Sequence, residues 1–430
     1  MDSKQLHYGK RALQGTISVP GDKSISHRAV MFGSLANGVT EITNFLTGED
    51  CIRTIEAFQA MGVEIDRKEQ RVTIQSSGIE GLKEPEIPIN LGNSGTTARL
   101  LMGILAGLPY HFTLYGDASL SNRPMERITI PLKQMGAKID GREDGKLLPI
   151  SIRGGNLEPL HYRTPMKSAQ VKSGVLLAGL LTEGTTIVEE ESKTRNHTEN
   201  MLKAFGADIE VEDTKVKITG KRPLQACHIE VPGDISSAAF FMAGAAVIPG
   251  SKVTITNVGL NPTRSGIIDV LKQMNIDIKA TVKRTVGGEP IGDITVNYTK
   301  AKGTVIEGEI IPRIIDEIPI IALVASQAEG RTVIKDAEEL KYKETDRIEA
   351  VVSTLRMLGV SIEATEDGMI IDGNASLHGG SVNSYGDHRI GMMIAIASLL
   401  TDDKVELFDP DCINISYPNF FEDLEKLFTT

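Results

Sequence analysis

The chain repeats itself. Val19-Pro20-Gly21-Asp22-Lys23-Ser24 returns as Val231-Pro232-Gly233-Asp234-Ile235-Ser236, a separation close to half of the 430 residues. Repetition on this scale limits the fold more than composition does, because each copy must bury the same face in the same way. Each half divides again into three. One recurring element is a small-residue, apolar helix opened by Ser, Asn or Asp, at 24–36, 93–106, 168–181, 234–247, 316–328 and 387–400. Those openers are good N-caps. A Gly-rich turn and a β-branched strand follow, as in Gly38-Val-Thr-Glu-Ile-Thr43 and Gly250-Ser-Lys-Val-Thr-Ile255.

The second element is an amphipathic helix that runs through a turn into another strand, at 57–65, 132–139, 202–209, 271–278 and 355–362. Its turn residues, Gly62, Gly136, Gly206, Asn275 and Gly359, are of the types that tolerate a left-handed backbone at a helix end. A sixth such helix, 420–428, has no strand after it, and the segment 16–19 is expected to complete that unit. The predicted class is therefore α/β, with six helix–strand units shared equally by two domains. The two Val-Pro-Gly-Asp segments mark the crossings. They predict one inserted domain of residues 21–233 and a second of residues 1–20 plus 234–430, with the site in the cleft between them.

Length and composition narrow the partners. A single core stops growing near ~250–300 residues, so two domains are expected on size alone. The formal charge of −11 and the 4% aromatic content argue against nucleic acid, which needs a positive surface and stacking platforms. A small anion is not excluded, since a site answers to its local field. Cys51, Cys227 and Cys412 lie far apart without metal-ligand spacing and suit a reducing compartment. The start, Met1-Asp2-Ser3-Lys4-Gln5-Leu6, is not apolar, and the apolar runs 238–248 and 390–400 fall short of the ~20 residues of a membrane span. A cytoplasmic protein without membrane, metal or nucleic acid is expected.

Six buried helix starts would each present unpaired N–H groups and a positive dipole end, which suits anions. Cations stand beside them. Lys23 and Arg28 bracket the first helix start, Gly95 lies in the Gly-Asn-Ser-Gly turn at the second, and Ser168-Ala169-Gln170 opens the third. In Asp387-His388-Arg389 an arginine occupies a first turn, where the dipole disfavours it. Loops add Arg123, Arg195, and Lys343 and Arg347 around Glu344. Any one of these arginines is readily explained as a solvated side chain, but five at equivalent places point to carboxylate or phosphate ligands. Asp316 and Glu344, with Lys23 and His388, are the available proton carriers, although a helix cap or a salt-bridged loop would also account for the two acids. No nucleophile elbow, Walker-type phosphate loop or dinucleotide fingerprint competes.

Gly21-Asp-Lys-Ser-Ile-Ser-His-Arg28, Leu91-Gly-Asn-Ser-Gly-Thr96, Arg123-Pro-Met125, Ser168-Ala-Gln170, Lys343-Glu-Thr-Asp-Arg347 and Asp387-His-Arg389 occur in this order along the chain. Together they resemble the 5-enolpyruvylshikimate-3-phosphate synthases of the enolpyruvyl transferase family, over essentially the full length. The resemblance implies a two-domain inverse α/β barrel and transfer of the enolpyruvyl group of phosphoenolpyruvate to the 5-hydroxyl of shikimate 3-phosphate. It implies a place in aromatic amino-acid biosynthesis and sensitivity to glyphosate. By motif, Lys23, Ser24, Arg28, Ser168, Ala169, Gln170, Arg195, Asp316 and Lys343 correspond to the shikimate 3-phosphate site. Lys23, Gly95, Arg123, Gln170, Arg347 and Arg389 correspond to the phosphoenolpyruvate site. Asp316, Glu344 and Lys23 would be catalytic, with no metal or organic cofactor and a monomeric chain.

Two positions depart from some members. Ala169 replaces a serine, and Ile415 stands where a lysine is found. The sister enzymes acting on UDP-N-acetylglucosamine are the nearest alternative. They would carry Asn after the first lysine and often a cysteine near Arg123, whereas here Ser24 follows Lys23 and that loop has no cysteine. A repeat-built anion-binding scaffold without catalysis is the alternative of a different class.

Overall fold

The computed structural model describes residues 2–428. Its helices are α1 (Lys23–Leu35), α2 (Glu49–Ala60), α3 (Gly95–Ala106), α4 (Glu126–Gln134), α5 (Ala169–Leu180), α6 (His197–Ala204), α7 (Ile235–Val247), α8 (Gly266–Gln273), the single turn α9 (Ile311–Ile314), α10 (Ile318–Gln327), α11 (Arg347–Met357), α12 (His388–Ala397) and α13 (Phe420–Glu425). The chain divides into two units. One comprises Gly21–Val231 with Val286–Glu289, and the other Met1–Pro20, Pro232–Thr285 and Pro290–Thr430. The break after Val231 falls two residues before the expected one. The tip of the hairpin formed by Asp277–Val286 and Glu289–Asn297 also belongs with the inserted unit, a crossing that the sequence motifs did not announce.

Each unit has its own apolar core. In the inserted unit α1, α3 and α5 supply its centre, and α3 packs along α5. Small residues make that approach possible. A methyl group on Gly103 would sit 2.1 Å from the Gly174 carbonyl oxygen, so the two backbones touch where both helices lack a side chain. Gly103→Ala is expected to lower stability by about 1–3 kcal/mol through forced separation of the helices. A urea midpoint indistinguishable from that of the parent protein would contradict this packing. In the other unit α7, α10 and α12 pack against one another, and α7 is buried on every face. A helix apolar all round needs such surroundings.

Among the described residues six sheets, three to a unit, surround these helices. The pattern is clearest in the sheet of Ile89–Asn90, His111–Tyr115, Leu147–Arg153 and Lys138–Arg142. A short strand pairs in parallel with the strand after the buried helix, and an antiparallel hairpin follows. Alternation sets the faces: Val72 and Ile74 are buried between exposed Arg71, Thr73 and Gln75. The five turn residues after the amphipathic helices all take positive φ, from +66° at Asn275 to +102° at Gly136.

The N-terminal segment corrects one expectation. Gln14–Ser18 pairs in parallel with Lys252–Gly259, completing the fourth sheet rather than the sixth. The sixth is completed by Ser3–Leu6, antiparallel to Val405–Phe408. One terminal segment thus supplies strands to two sheets of the same unit, where a single strand for the last repeat was expected. No helix among the described residues is long and apolar enough to cross a membrane.

Candidate active site

Helix caps decide which polar residues remain available. Asp22, Ser94, Ser168, Asp234 and Asp387 accept hydrogen bonds from the first-turn amides of α1, α3, α5, α7 and α12. Ser24 and Asn93, expected as openers, are therefore displaced from that role by Asp22 and Ser94. Asp316 does not cap either. Glu317 occupies the cap position of α10 and makes no side-chain cap bond. The Asp316 carboxylate instead faces cations.

In the inserted unit the cations line up on helix starts. Lys23, the first residue of α1, is ion-paired with Asp50 on α2. One turn later Arg28 is buried, and its guanidinium meets only neutral acceptors in its hydrogen bonds. Nε donates to Thr198 Oγ1 at 2.7 Å, one terminal nitrogen to the Ser24 carbonyl at 2.9 Å and the other to Ser173 Oγ at 2.9 Å. Burial lowers the Arg28 guanidinium to about 10, against the pull of Glu199 and Asp22, with Arg195 adding repulsion. A desolvated cation without a carboxylate in contact is an incomplete arrangement that an anion would complete. His27, from the same motif, is a link rather than an acid. Burial, then Lys23 and Arg28, push it well below the usual histidine range, and it bonds Thr54 Oγ1 at 2.7 Å.

Gly95 begins α3. A methyl there would lie 2.9 Å from one terminal nitrogen of Arg99 and 3.4 Å from one of Arg123. Arg123 is buried and held by Asn93, through its carbonyl at 3.3 Å and its side-chain oxygen, and by Ser119. Arg99 was not foreseen. It donates to Gln170 Oε1 at 2.7 Å while Gln170 Nε2 donates to Thr96 Oγ1 at 3.0 Å, so the orientation of that amide is fixed at both ends. Ala169 and Gln170 form the first turn of α5, and Arg195 lies in the loop before α6.

The other unit assembles a different cluster. Arg347, at the start of α11 and 1% exposed, is met by three carboxylates. Its Nε donates to Asp387 at 2.8 Å, and its terminal nitrogens donate to Asp316 at 3.2 Å and Glu344 at 2.5 Å. Burial opposes its charge, but Asp387, Glu344 and Asp316 outweigh it and hold the guanidinium above its ordinary range. Asp316 also lies 3.9 Å from Lys343, Arg389 and Arg264. Arg389 donates to the Asp316 main-chain carbonyl at 3.1 Å.

Arg264 and Glu317 were missed by the sequence reading. Arg264 donates to Ser236 Oγ at 2.7 Å, and Ser236 donates to the fully buried Glu317 carboxylate. The repeat held the signal, since Arg264 stands two residues before α8 as Arg195 stands two before α6. Among the described residues no group of His, Cys, Asp and Glu is arranged to hold a metal ion.

Residues 7–424 match the family described as EPSP synthase (3-phosphoshikimate 1-carboxyvinyltransferase). The chain belongs to the EPSP synthase family. A 3-phosphoshikimate 1-carboxyvinyltransferase of Oceanobacillus iheyensis is 58% identical over 97% of both chains. That of Bacillus cytotoxicus is 57% identical over 97% of this chain and 99% of its own. The solved EPSP synthase of Acinetobacter baumannii aligns with a TM-score of 0.89 at 44% identity, covering 100% of this chain and 99% of that one. The enolpyruvyl transferase NikO of Streptomyces tendae, 19% identical, aligns with a TM-score of 0.78 over 98% and 96% of the two chains, a likeness in fold. The arrangement of mixed sheets around buried helices is that of EPSP synthases.

Proposed function

We propose that this EPSP synthase family member transfers the enolpyruvyl group of phosphoenolpyruvate to the 5-hydroxyl of shikimate 3-phosphate, releasing phosphate. The observation that carries the reading is the pair of unlike cation clusters. Arg28 is buried among neutral acceptors, whereas Arg347 and Arg389 lie beside carboxylates. One cluster suits binding of an anion, and the other can also move protons next to one.

Lys23, Ser24, Arg28, Ser168, Ala169, Gln170, Arg195, Asp316 and Lys343 serve shikimate 3-phosphate. Lys23, Gly95, Arg123, Gln170, Arg347 and Arg389 serve phosphoenolpyruvate. The 5-hydroxyl oxygen attacks C2 while its proton passes to Asp316, assisted by Lys23, and Glu344 gives a proton to the methylene carbon. A tetrahedral adduct results. Glu344 then takes a proton back from the new methyl group, the C2–O bond to phosphate breaks as the proton held by Asp316 passes to the departing phosphate, and the enol ether remains. Arg347 donates to Glu344 before substrate arrives. An incoming carboxylate competes for that guanidinium, and Glu344, once released, takes up a proton from solvent and holds it for the methylene carbon.

No metal or organic cofactor enters this scheme, and every group invoked belongs to one chain, so a monomer suffices. The compartment proposed is the cytoplasm. Release of inorganic phosphate from phosphoenolpyruvate should require shikimate 3-phosphate and should not occur with UDP-N-acetylglucosamine. Phosphate release with the nucleotide sugar alone would overturn the proposal.

Glyphosate, a slightly longer anion than phosphoenolpyruvate, is expected to inhibit by occupying the space beside Gly95. A methyl there presses on Arg99 and Arg123, whose guanidinium nitrogens lie 2.9 and 3.4 Å from it. Gly95→Ala should raise the glyphosate inhibition constant by roughly 10-fold or more while the phosphoenolpyruvate KM rises less. Equal losses for both anions would contradict the steric account.

A further inference from the structure

We propose that Ser173 and Thr198 are positioning residues for substrate binding, which set the guanidinium of Arg28 so that its remaining donors face shikimate 3-phosphate. The inference rests on the reading of Arg28 as a substrate-binding group. Neither hydroxyl residue can touch substrate itself, because both are 0% exposed.

The donor count gives them their role. A guanidinium has five N–H groups. Three are committed, to Thr198 Oγ1, to Ser173 Oγ and to the Ser24 carbonyl. One N–H is left on each terminal nitrogen, and such a pair is what a bidentate grip on anionic oxygens needs. The two hydroxyls lie 2.7 Å apart and bond each other, so the three side chains form a closed set drawn from α1, α5 and α6.

Neutral acceptors suit this purpose better than carboxylates. A carboxylate would orient Arg28 equally well but would also neutralise it, and an arriving anion would then have to displace it. Arg347 shows that alternative, with Asp387 and Glu344 on its fork. Hydroxyls fix the plane and leave the charge. Burial, which lowers Arg28 to about 10, is consistent with a cation awaiting its partner.

The mounting is rigid for a separate reason. Lys172, next to Ser173, is buried and ion-paired with Glu190 at 2.9 Å and Glu199 at 2.7 Å, and Glu199 is next to Thr198. Burial opposes the Lys172 charge, but Glu199 and Glu190 raise its proton affinity above the ordinary lysine value. This triad ties α5 to α6 beside both hydroxyls, and Glu190 also accepts from Thr194 in the loop that carries Arg195. The spacing that Ser173 and Thr198 must keep is thereby imposed from behind.

The test is a double-mutant cycle read by calorimetric binding and steady-state kinetics. Thr198→Val should raise the Kd and KM for shikimate 3-phosphate about 10-fold, with kcat and the phosphoenolpyruvate KM within about twofold. Thr198→Ser should return the affinity to within about twofold, since it restores the acceptor. In an Arg28→Lys background, Thr198→Val should add less than about twofold, because nothing remains for it to orient. Ser173→Ala carries the same expectations and decides the matter should Thr198→Val not fold. Normal binding by both single variants would overturn the inference, as would an undiminished loss in the Arg28→Lys background. Unchanged affinity in Arg28→Lys alone would instead show that the reading of Arg28 is wrong.

Discussion

Glu344→Gln should lower kcat by roughly 10²–10⁴-fold, the usual worth of a positioned acid or base. The substitution is close to isosteric, and the amide oxygen can still accept from Arg347, whose nitrogen lies 2.5 Å from the present carboxylate. Arg347 keeps Asp387 at 2.8 Å and Asp316 at 3.2 Å, so it stays in place. The phosphoenolpyruvate KM should therefore change far less than kcat, because Arg123, Arg347 and Arg389 all remain. What is lost is the group that exchanges a proton with the methylene carbon. Incorporation of solvent deuterium into the methylene group of phosphoenolpyruvate should fall with kcat. A variant with near parental turnover and exchange would take Glu344 out of the chemistry and pass the proton traffic to Lys23 or His388.

Much of the fold was legible because the repeat sampled one pattern six times. A single Gly at a helix end is a weak signal, but Gly62, Gly136, Gly206 and Gly359, with Asn275, recur at one place in the unit, and all take positive φ. The failures are local and have local causes. Ser and Asn favour the cap role, yet α1 and α3 begin at Lys23 and Gly95, so Asp22 and Ser94 stand at the cap positions, Ser24 falls inside the first turn and Asn93 one residue too early. The destination of the N-terminal strands could not be read, since sheet partners far apart in sequence are chosen by the packed unit rather than by the strand.

The sites were legible unevenly, for a related reason. Residues that would face a ligand are exposed to motif reading, because their types are unusual where they stand, as with Arg389 in a first turn. Residues that hold them are ordinary in sequence. Thr198 and Ser173 read as average helix residues, and only their burial against Arg28 gives them meaning. Arg264 could have been found, since it repeats the position of Arg195, but Glu317 could not, since its neighbour Asp316 offered the same chemistry. The second cluster holds more acids than the two, Asp316 and Glu344, marked in the sequence as proton carriers: Asp234, Glu317 and Asp387 also stand beside its cations.

Asp316→Asn should behave differently from Glu344→Gln, and the difference tests the division of labour between the two acids. The Asp316 carboxylate is shared by Arg347 at 3.2 Å and by Lys343, Arg264 and Arg389 at 3.9 Å. Asparagine keeps the shape, and the main-chain carbonyl still accepts from Arg389. The start of α10 should not move, because Asp316 does not cap it. Two functions go with the charge. The base for the 5-hydroxyl is removed, so kcat should fall by roughly 10²-fold or more. A charge-assisted hydrogen bond to the ring hydroxyl is also lost, so shikimate 3-phosphate should bind roughly 10-fold or more weakly, in line with the about 1.5–3 kcal/mol of such bonds. Phosphoenolpyruvate should bind as well as before or more tightly, since the neighbouring cations have lost a competing anion. Calorimetry on each substrate, set beside steady-state kinetics, separates these effects. Full-rate turnover with normal shikimate 3-phosphate binding would contradict the assignment. Equal weakening of both substrates would point instead to collapse of the carboxylate–arginine cluster.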